Sequence, residues 1–383
     1  MSDRTPCIVG VAESQLGMTG RTILDLQAEA AAGALDDAGL TLMDVDGLFT
    51  TAVSRFSASH VAEYLGIRPT WTDGTMAGGA SYEIFVAHAA EAIRSGRCEV
   101  ALISYANNQR SAKSRQLGGV IDAHAPEAQF EVPFGPLNPI SLYAMAAHRH
   151  MHEFGTTAEQ LAEVAVAARA WALMNPKAFR HDDGPLTVDD VLASPLPSTP
   201  LHALDCCLIT DGGAAAVMTT RERARDLKRA PIVVLGHGET TTNVGMSQIP
   251  DLTATGASVS ARRAYESAGL GPGDIDVAEL YDSFTITVLL ELEALGFCER
   301  GEGGSFVSKG RIAPGGEFPL NTSGGGLSYC HPGVFGLFLV VEAVRQLRGE
   351  CGARQVPGAR TAICHGTGGI LSTHATVIVG SDG

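Results

Sequence analysis

The sequence is poor in basic residues, lacks a long hydrophobic run and lacks a CxxC cysteine pair. Lys and Arg number 27 against 42 Asp and Glu, so the formal net charge is −15. Nucleic acid and anionic membrane surfaces repel such an acidic chain, and neither is expected as its main partner. The longest apolar run, 334–341, stops at Glu342, far short of the roughly 18 residues typical of a membrane span.

Other familiar signals are also missing. The first residues lack the charged, apolar and cleavage regions of a secretory signal. The eight cysteines contain no CxxC pair, which predicts a reduced, cytoplasmic protein with mostly buried thiols. Neither Cys330-His331 nor Cys364-His365 has zinc-type spacing, so no metal site is expected. The glycine runs do not fit a dinucleotide or P-loop motif.

What the chain does have is a large apolar content, at 45% of 383 residues, with 18% charged residues. These values predict a globular protein large enough for two domains or one duplicated unit. Short apolar segments such as 8–11, 100–104 and 232–235 predict buried strands. Their alternation with helical patterns predicts an α/β fold with helix-covered sheets.

The chain looks internally duplicated. Segment 31–40 resembles segment 261–270 at a constant offset of 230 residues, and each predicts a helix, a glycine end, a loop and a strand. Chance likeness of alanine-rich helices is the alternative, which the fixed offset disfavours. We therefore predict halves at 1–225 and 226–383, with a loop domain inserted at about 108–200.

Glycine is unusually abundant, with 45 residues, and much of the excess lies in clusters. The first cluster, 75–81, precedes an apolar helix, and a tight turn at a helix N-terminus offers free backbone amides to an anion. Ser81 is the only hydroxyl after these glycines. It is either a reactive group or an ordinary capping and packing residue.

Three further clusters carry candidate chemistry. Tyr281 follows a predicted strand and is a candidate proton or hydrogen-bond donor, or an ordinary buried tyrosine. His331 follows the glycines of 321–333 and suits an acid, a base or an oxyanion donor. Cys364, at the end of a predicted strand and before a glycine turn, is either an acid/base or a small buried hydrophobe.

These clusters, in this order on a duplicated α/β chain, resemble the thiolase superfamily, and most of all its branch related to sterol carrier protein X. Segment 204–216, the His331-Pro332 motif and the 364–369 cysteine motif carry the resemblance. It implies a duplicated thiolase fold of five layers, αβαβα, with an inserted loop domain, and a homodimer or dimer of dimers. It also implies an acyl-CoA substrate, with coenzyme A as part of the substrate and no covalently bound cofactor.

The departures from the family pattern are informative. The nucleophilic cysteine of thiolases corresponds to Gly79, where no acyl-enzyme can form. Tyr281 stands where the family has Asn or His, and a further tyrosine, Tyr329, lies two residues before His331. His331 and Cys364 still match the family's acid/base positions.

A site that keeps enolate handling but loses the nucleophile resembles the thiolase-like aldolases that cleave steroid side chains as CoA thioesters. The resemblance implies a non-covalent retro-aldol cleavage of a β-hydroxyacyl-CoA. Tyr281 and Tyr329 would transfer protons, His331 would donate to the thioester oxygen and Cys364 would assist reprotonation. The backbone glycines expected at the substrate are Gly325, Gly326 and Gly368.

Two other functions remain open from the residues. One is an acyltransferase with a relocated nucleophile at Ser81 or Cys364. The other is a non-catalytic CoA-ester-binding subunit of a complex. The resemblance further implies a separate partner, a small DUF35-type protein with a zinc ribbon and an OB-fold that helps to bind acyl-CoA.

Overall fold

A nine-stranded mixed sheet runs through the computed structural model, which describes residues 3–114 and 123–382. The strand order is β3-β2-β4-β5-β1-β6-β9-β8-β7. The strands are β1 (Pro6–Glu13), β2 (Gly47–Phe49), β3 (Trp71–Asp73), β4 (Val100–Asn107), β5 (Gly212–Thr220), β6 (Ile232–Thr241), β7 (Val277–Leu280), β8 (Thr361–Gly368) and β9 (Thr373–Ser381).

Helices accompany these strands on both faces of the sheet. In the described residues they are α1 (Ile23–Ala38), α2 (Ser57–Leu65), α3 (Ser81–Arg94), α4 (Gln109–Ala112), α5 (Pro126–Phe130), α6 (Ile140–Phe154), α7 (Ala158–Leu173), α8 (Val188–Ala193), α9 (Arg221–Ala224), α10 (Ala257–Ala268), α11 (Thr285–Ala294), α12 (Gly303–Val307) and α13 (Gly336–Arg348). None of them is long and apolar enough to cross a membrane.

The sheet consists of two half-sheets that touch only briefly. β1 and β6 pair at just two positions, Cys7 with Val233 and Ile8 with Ile232. Helices α3 and α13 contact strands of both half-sheets, whereas α1 and α10 each pack on the strands of one. The expected α/β fold with five layers, α1, half-sheet, α3 with α13, half-sheet and α10, is confirmed.

The elements at the centre of the fold are buried because their residues are mostly apolar. Helix α3 buries all of its residues except His88, Glu91 and Arg94. Strand β4 is likewise buried along its whole length, which explains its continuous apolar run. Any polar group in this layer is therefore far from water unless the fold provides an opening.

The two segments related by the 230-residue offset form α1 and α10, and the same elements follow each of them. Helix α1 ends at Gly39 with φ 76°, and α10 ends at Gly269 with φ 69°. This left-handed conformation suits glycine because it has no Cβ. A single 3₁₀ turn and a strand follow each helix. The predicted boundary at 225/226 falls in the link between α9 and β6.

The inserted segment is more helical than the term loop domain suggests. It lies between β4 and β5 and contains α4 to α8. Its two longest helices are α6 and α7, and Thr157 begins α7 with a capping box to Gln160. Helix α7 contacts the turn Gly325–Tyr329, so the insertion supports the segment that leads to His331.

Candidate active site

Two of the glycine-rich segments meet where the half-sheets face each other. A Cβ on Gly368 would lie 1.7 Å from the carbonyl oxygen of Ala77, and one on Gly78 would lie 3.0 Å from the Cα of Gly368. Such distances leave no space for a side chain. These glycines therefore allow the turn before α3 to pack directly on the end of β8.

Gly79, which the sequence resemblance matches to a nucleophilic cysteine, lies in this turn. A Cβ there would lie 2.3 Å from Cε2 of Tyr281 and 2.1 Å from the carbonyl oxygen of Thr367. The ring of Tyr281 thus occupies the space that a side chain at position 79 would need. The absence of a thiol at position 79 and the presence of a tyrosine at position 281 are therefore sterically linked.

Tyr281 and His331 are brought together. The phenol oxygen of Tyr281 lies 2.9 Å from Nε2 of His331 and accepts the backbone N–H of Phe335 at 3.1 Å. Burial raises the pKa of Tyr281 well above 10 and lowers that of His331 to about 4. At neutral pH the pair is a phenol and a neutral imidazole, and the phenol donates to Nε2 when the other ring nitrogen carries the proton.

The segment around His331 is fixed by its neighbours. The hydroxyl of Thr210 accepts the backbone N–H of His331 at 3.0 Å. Tyr105 donates its hydroxyl to the carbonyl of Pro332 at 2.7 Å and accepts the N–H of Val334 at 3.1 Å. The imidazole, partly exposed, is therefore held in place at the edge of the buried region.

Asp282, next to Tyr281, organises the glycine turn. Its carboxylate accepts the N–H groups of Gly326 at 2.6 Å and Leu327 at 3.1 Å. A Cβ on Gly325 would lie 2.1 Å from this carboxylate. Burial raises the pKa of Asp282 to about 6, although the two amides favour the charged form. Gly325 and Gly326 are buried against Asp282, and contact between them and a substrate stays a prediction.

Tyr329 is placed apart from the Tyr281–His331 pair. Its hydroxyl donates to Oε1 of Glu13 at 2.7 Å, and Glu13 also binds Arg345 and Lys177. Burial and the nearby Glu13 charge raise the pKa of Tyr329 well above 10. The structure does not bring the hydroxyl of Tyr329 to Tyr281. Its proton-transfer role stays a prediction, now with Glu13 as its partner.

Cys364 and Ser81 both lie inside the protein. Strand β8 continues through Gly368, so the prediction that Cys364 ends a strand is wrong, and the cysteine lies mid-strand opposite Glu279. Burial raises the pKa of its thiol well above 9. The hydroxyl of Ser81, the first residue of α3, accepts the N–H of Ala77 in the preceding turn at 2.8 Å. Ser81 is therefore a buried packing residue and not the N-cap of α3, which is Ala80.

Sequence reasoning missed two acidic residues of this region. Glu13 ends β1 and accepts the hydroxyl of Tyr329. Glu83 lies in α3 one turn after Gly79 and is fully buried. In the sequence, Glu83 stands out only as a charged residue near the start of an otherwise apolar predicted helix.

Comparisons with known proteins agree with the fold. Residues 238–381 match the family described as Thiolase C-terminal domain-like. A steroid side-chain-cleaving aldolase from Thermomonospora curvata is 38% identical over 357 residues, covering 89% of this chain and 90% of the relative. An acetyl-CoA acetyltransferase from Methanothermobacter thermautotrophicus is 34% identical over 389 positions, covering 97% and 99%. The solved structure of the Ltp2-ChsH2(DUF35) aldolase matches with a TM-score of 0.90 and 35% identity, covering 100% of this chain and 99% of that one.

Proposed function

The chain belongs to the thiolase superfamily, and from that premise we propose that it cleaves a carbon–carbon bond of a β-hydroxyacyl-CoA by a non-covalent retro-aldol reaction. The observation that carries this proposal is the ring of Tyr281 in the space in front of Gly79. Covalent acyl transfer needs a nucleophile, and Gly79 supplies none. A phenol hydrogen-bonded to a neutral imidazole is instead suited to moving a proton.

The reaction begins at the β-hydroxyl group. Its proton passes to the oxygen of Tyr281 while the phenol proton passes to Nε2 of His331. The Cα–Cβ bond then breaks, releasing a ketone or aldehyde and leaving the enolate of a shorter acyl-CoA. Cys364 protonates Cα of this enolate. The proton removed from oxygen is balanced by the proton added to carbon.

The proton transfers from the substrate to Tyr281 and from Tyr281 to His331 must occur together because of the pKa values of these two side chains. The pKa of Tyr281 is raised well above 10 by burial, so a free phenolate would be costly. His331 is neutral at physiological pH and accepts the phenol proton as the substrate proton arrives. This makes His331 the final acceptor of the relay, in place of the thioester contact expected from the sequence.

The substrate class and the partner are proposals from the relatives. A steroid side-chain-cleaving aldolase covers most of this chain, which favours a bulky acyl group carried by coenzyme A. The Ltp2-ChsH2(DUF35) aldolase favours a DUF35-type protein as a partner. We also propose a homodimer and a cytoplasmic location, the latter because all eight cysteines are free.

A second candidate is acyl transfer, favoured by the acetyl-CoA acetyltransferase that matches 97% of this chain. Its nucleophile would have to be Ser81 or Cys364. Both side chains are buried, and the hydroxyl of Ser81 is engaged with Ala77.

One experiment separates the two. The protein, with a DUF35-type partner if one is encoded nearby, is incubated with a panel of β-hydroxyacyl-CoAs and acyl-CoAs. Small products are followed alongside intact-protein mass. A carbonyl product plus a shorter CoA ester, without added mass on the protein, supports the aldolase. A stable acyl mass on the chain would overturn the non-covalent mechanism and direct attention first to Cys364.

A further inference from the structure

A buried carboxyl group lies directly behind the Gly79 turn. Glu83 is fully buried, and neither carboxyl oxygen has a hydrogen-bond partner from another described residue. Leaving such a group unpaired away from water is costly, and an apolar side chain would fit the same core without that cost. A group retained at such a cost invites a functional explanation.

The fold makes room for this carboxyl from two sides. A Cβ on Gly366, in β8, would lie 2.1 Å from Oε2 of Glu83, and one on Gly336, at the start of α13, would lie 2.4 Å from it. The carboxyl therefore occupies the space of two absent side chains. Its position is specified by three elements of the central region and not by packing within α3 alone.

The sheet register places the carboxyl beside the proposed proton donor to carbon. Gly366 lies two residues after Cys364 in β8, so both positions face the same side of the sheet. On the neighbouring strand Leu280 pairs with His365, and the N–H of Tyr281 donates to the carbonyl of His365. Tyr281 thus lies next to Gly366, whose Cβ position meets the carboxyl of Glu83, and this carboxyl is close enough to Cys364 to act on it electrostatically.

The electrostatic surroundings agree with a protonated carboxyl. Burial raises the pKa of Glu83 to about 8, although its own backbone N–H favours the charged form. A charge on Glu83 would raise the pKa values of Cys364 and Glu291, and Glu279 acts on Cys364 in the same way. The described titratable groups linked electrostatically to Glu83 are Cys364 in β8 and Glu291 in α11, and neither is a cation.

We propose that Glu83 is the proton store of Cys364: its carboxylic acid returns a proton to the thiolate that remains after Cys364 has protonated Cα of the enolate. This inference rests on the proposed retro-aldol function and deepens it. Glu83 acts through Cys364 and is therefore a positioning residue, not a catalytic one.

The proton count balances without any other reactant. The S–H bond of Cys364 breaks as the Cα–H bond forms, and the O–H bond of Glu83 breaks as the S–H bond reforms. Glu83 then regains a proton from water, and His331 releases to water the proton it took from the β-hydroxyl. The transfer from carboxyl to thiolate runs downhill because the thiol has the higher pKa.

The test compares Glu83→Gln and Glu83→Asp with the wild type in the cleavage assay, across pH. In the wild type, kcat is expected to fall as the pH rises through about 8, because an ionised Glu83 has no proton to give. Glu83→Gln is expected to lose kcat by roughly tenfold or more with KM unchanged and to lose that alkaline limb. Glu83→Asp keeps an acid and is expected to recover part of both.

The matched control is Glu293→Gln, which removes another buried carboxyl group of α11 that binds His150 and the N–H of Gly303 and has no part in the mechanism. Its kcat and alkaline limb are expected to match the wild type. If Glu83→Gln does not fold, Glu83→Met serves instead, since it removes the acid while filling the core. A wild type that cleaves no β-hydroxyacyl-CoA overturns the proposed function. A wild type that cleaves, beside a Glu83→Gln or Glu83→Met protein with unchanged kcat and pH profile, overturns only the role of Glu83.

Discussion

Tyr281 and Gly79 share one space: a Cβ on Gly79 would lie 2.3 Å from the ring carbon Cε2 of Tyr281. A nucleophilic side chain at position 79 and a tyrosine at position 281 therefore exclude each other. This relationship connects the two departures from the thiolase pattern, which look independent in the sequence. In the proposed mechanism, the phenol in this space moves a proton and no acyl-enzyme forms.

Gly79→Cys is expected to lower stability and not to create an acyltransferase. The new side chain collides with the ring of Tyr281 and with the carbonyl of Thr367, and overpacking of this kind costs about 1–3 kcal/mol. The double variant Gly79→Cys/Tyr281→Asn removes the ring and is expected to recover part of that loss. Thermal unfolding of the three proteins, with intact mass after exposure to acyl-CoA, provides the measurement. A single variant that is as stable as the wild type and becomes acylated would contradict the shared space.

Tyr281→Phe is expected to lower kcat by ~10²–10⁴-fold, since it removes a positioned proton-transfer group, with little change in KM. The ring stays in place, but His331 and the N–H of Phe335 lose their common partner, which adds about 1–3 kcal/mol of destabilisation. The matched control is Tyr82→Phe. Tyr82 lies in the same core, and no other side chain is bonded to its hydroxyl, so its activity is expected to stay at the wild-type value. Equal losses in both variants would mean that core packing, not the phenol, sets the rate.

The fold was more predictable than the site. Periodicity, glycine helix ends and the 230-residue offset depend on local sequence, and each has its counterpart in α1, α10, α6 and α7. The glycine clusters also pointed to the region that contains Tyr281 and His331. What local sequence cannot show is which groups meet across the two half-sheets.

Strand β8 illustrates the limit. Glycines weaken a strand in isolation, so the prediction ended it at Cys364. The strand continues because Gly366 and Gly368 allow Glu83 and Ala77 to approach the backbone closely. Glu83 was missed for the same reason, since nothing near it in the sequence identifies β8 as its neighbour.

Glu13 is expected to dominate the loss of stability in acid. Burial alone would raise the pKa of this carboxyl, but its contacts with Arg345 outweigh burial and hold the pKa well below 4.5. A carboxyl group whose pKa is lower in the folded than in the unfolded protein stabilises the folded state at pH values above its unfolded-state pKa. This stabilisation is lost as the pH falls below the unfolded-state pKa towards the folded-state pKa. The free energy of unfolding should therefore decline below about pH 4.5 in the wild type.

Urea unfolding of the wild type and of Glu13→Gln between pH 7 and pH 3 measures this contribution. At pH 7 the variant is expected to be less stable by about 3–5 kcal/mol, because Arg345 is left without its charged partner. The difference between the two proteins should shrink as the pH falls. A difference that is constant across this range would mean that the ion pair is not the source.

Gly366→Ala tests where the carboxyl of Glu83 lies. The new methyl group would stand 2.1 Å from Oε2 of Glu83 and 2.9 Å from the Cα of Ala80, so a loss of about 1–3 kcal/mol is expected. In a Glu83→Ala background the carboxyl is gone, and the same substitution should cost less. The two positions should therefore be coupled in a double-mutant cycle. Gly273→Ala, where a Cβ meets nothing within 4 Å, is the matched control and should be nearly neutral. Additive losses at positions 366 and 83 would place the carboxyl away from β8 and would remove the contact on which its role beside Cys364 depends.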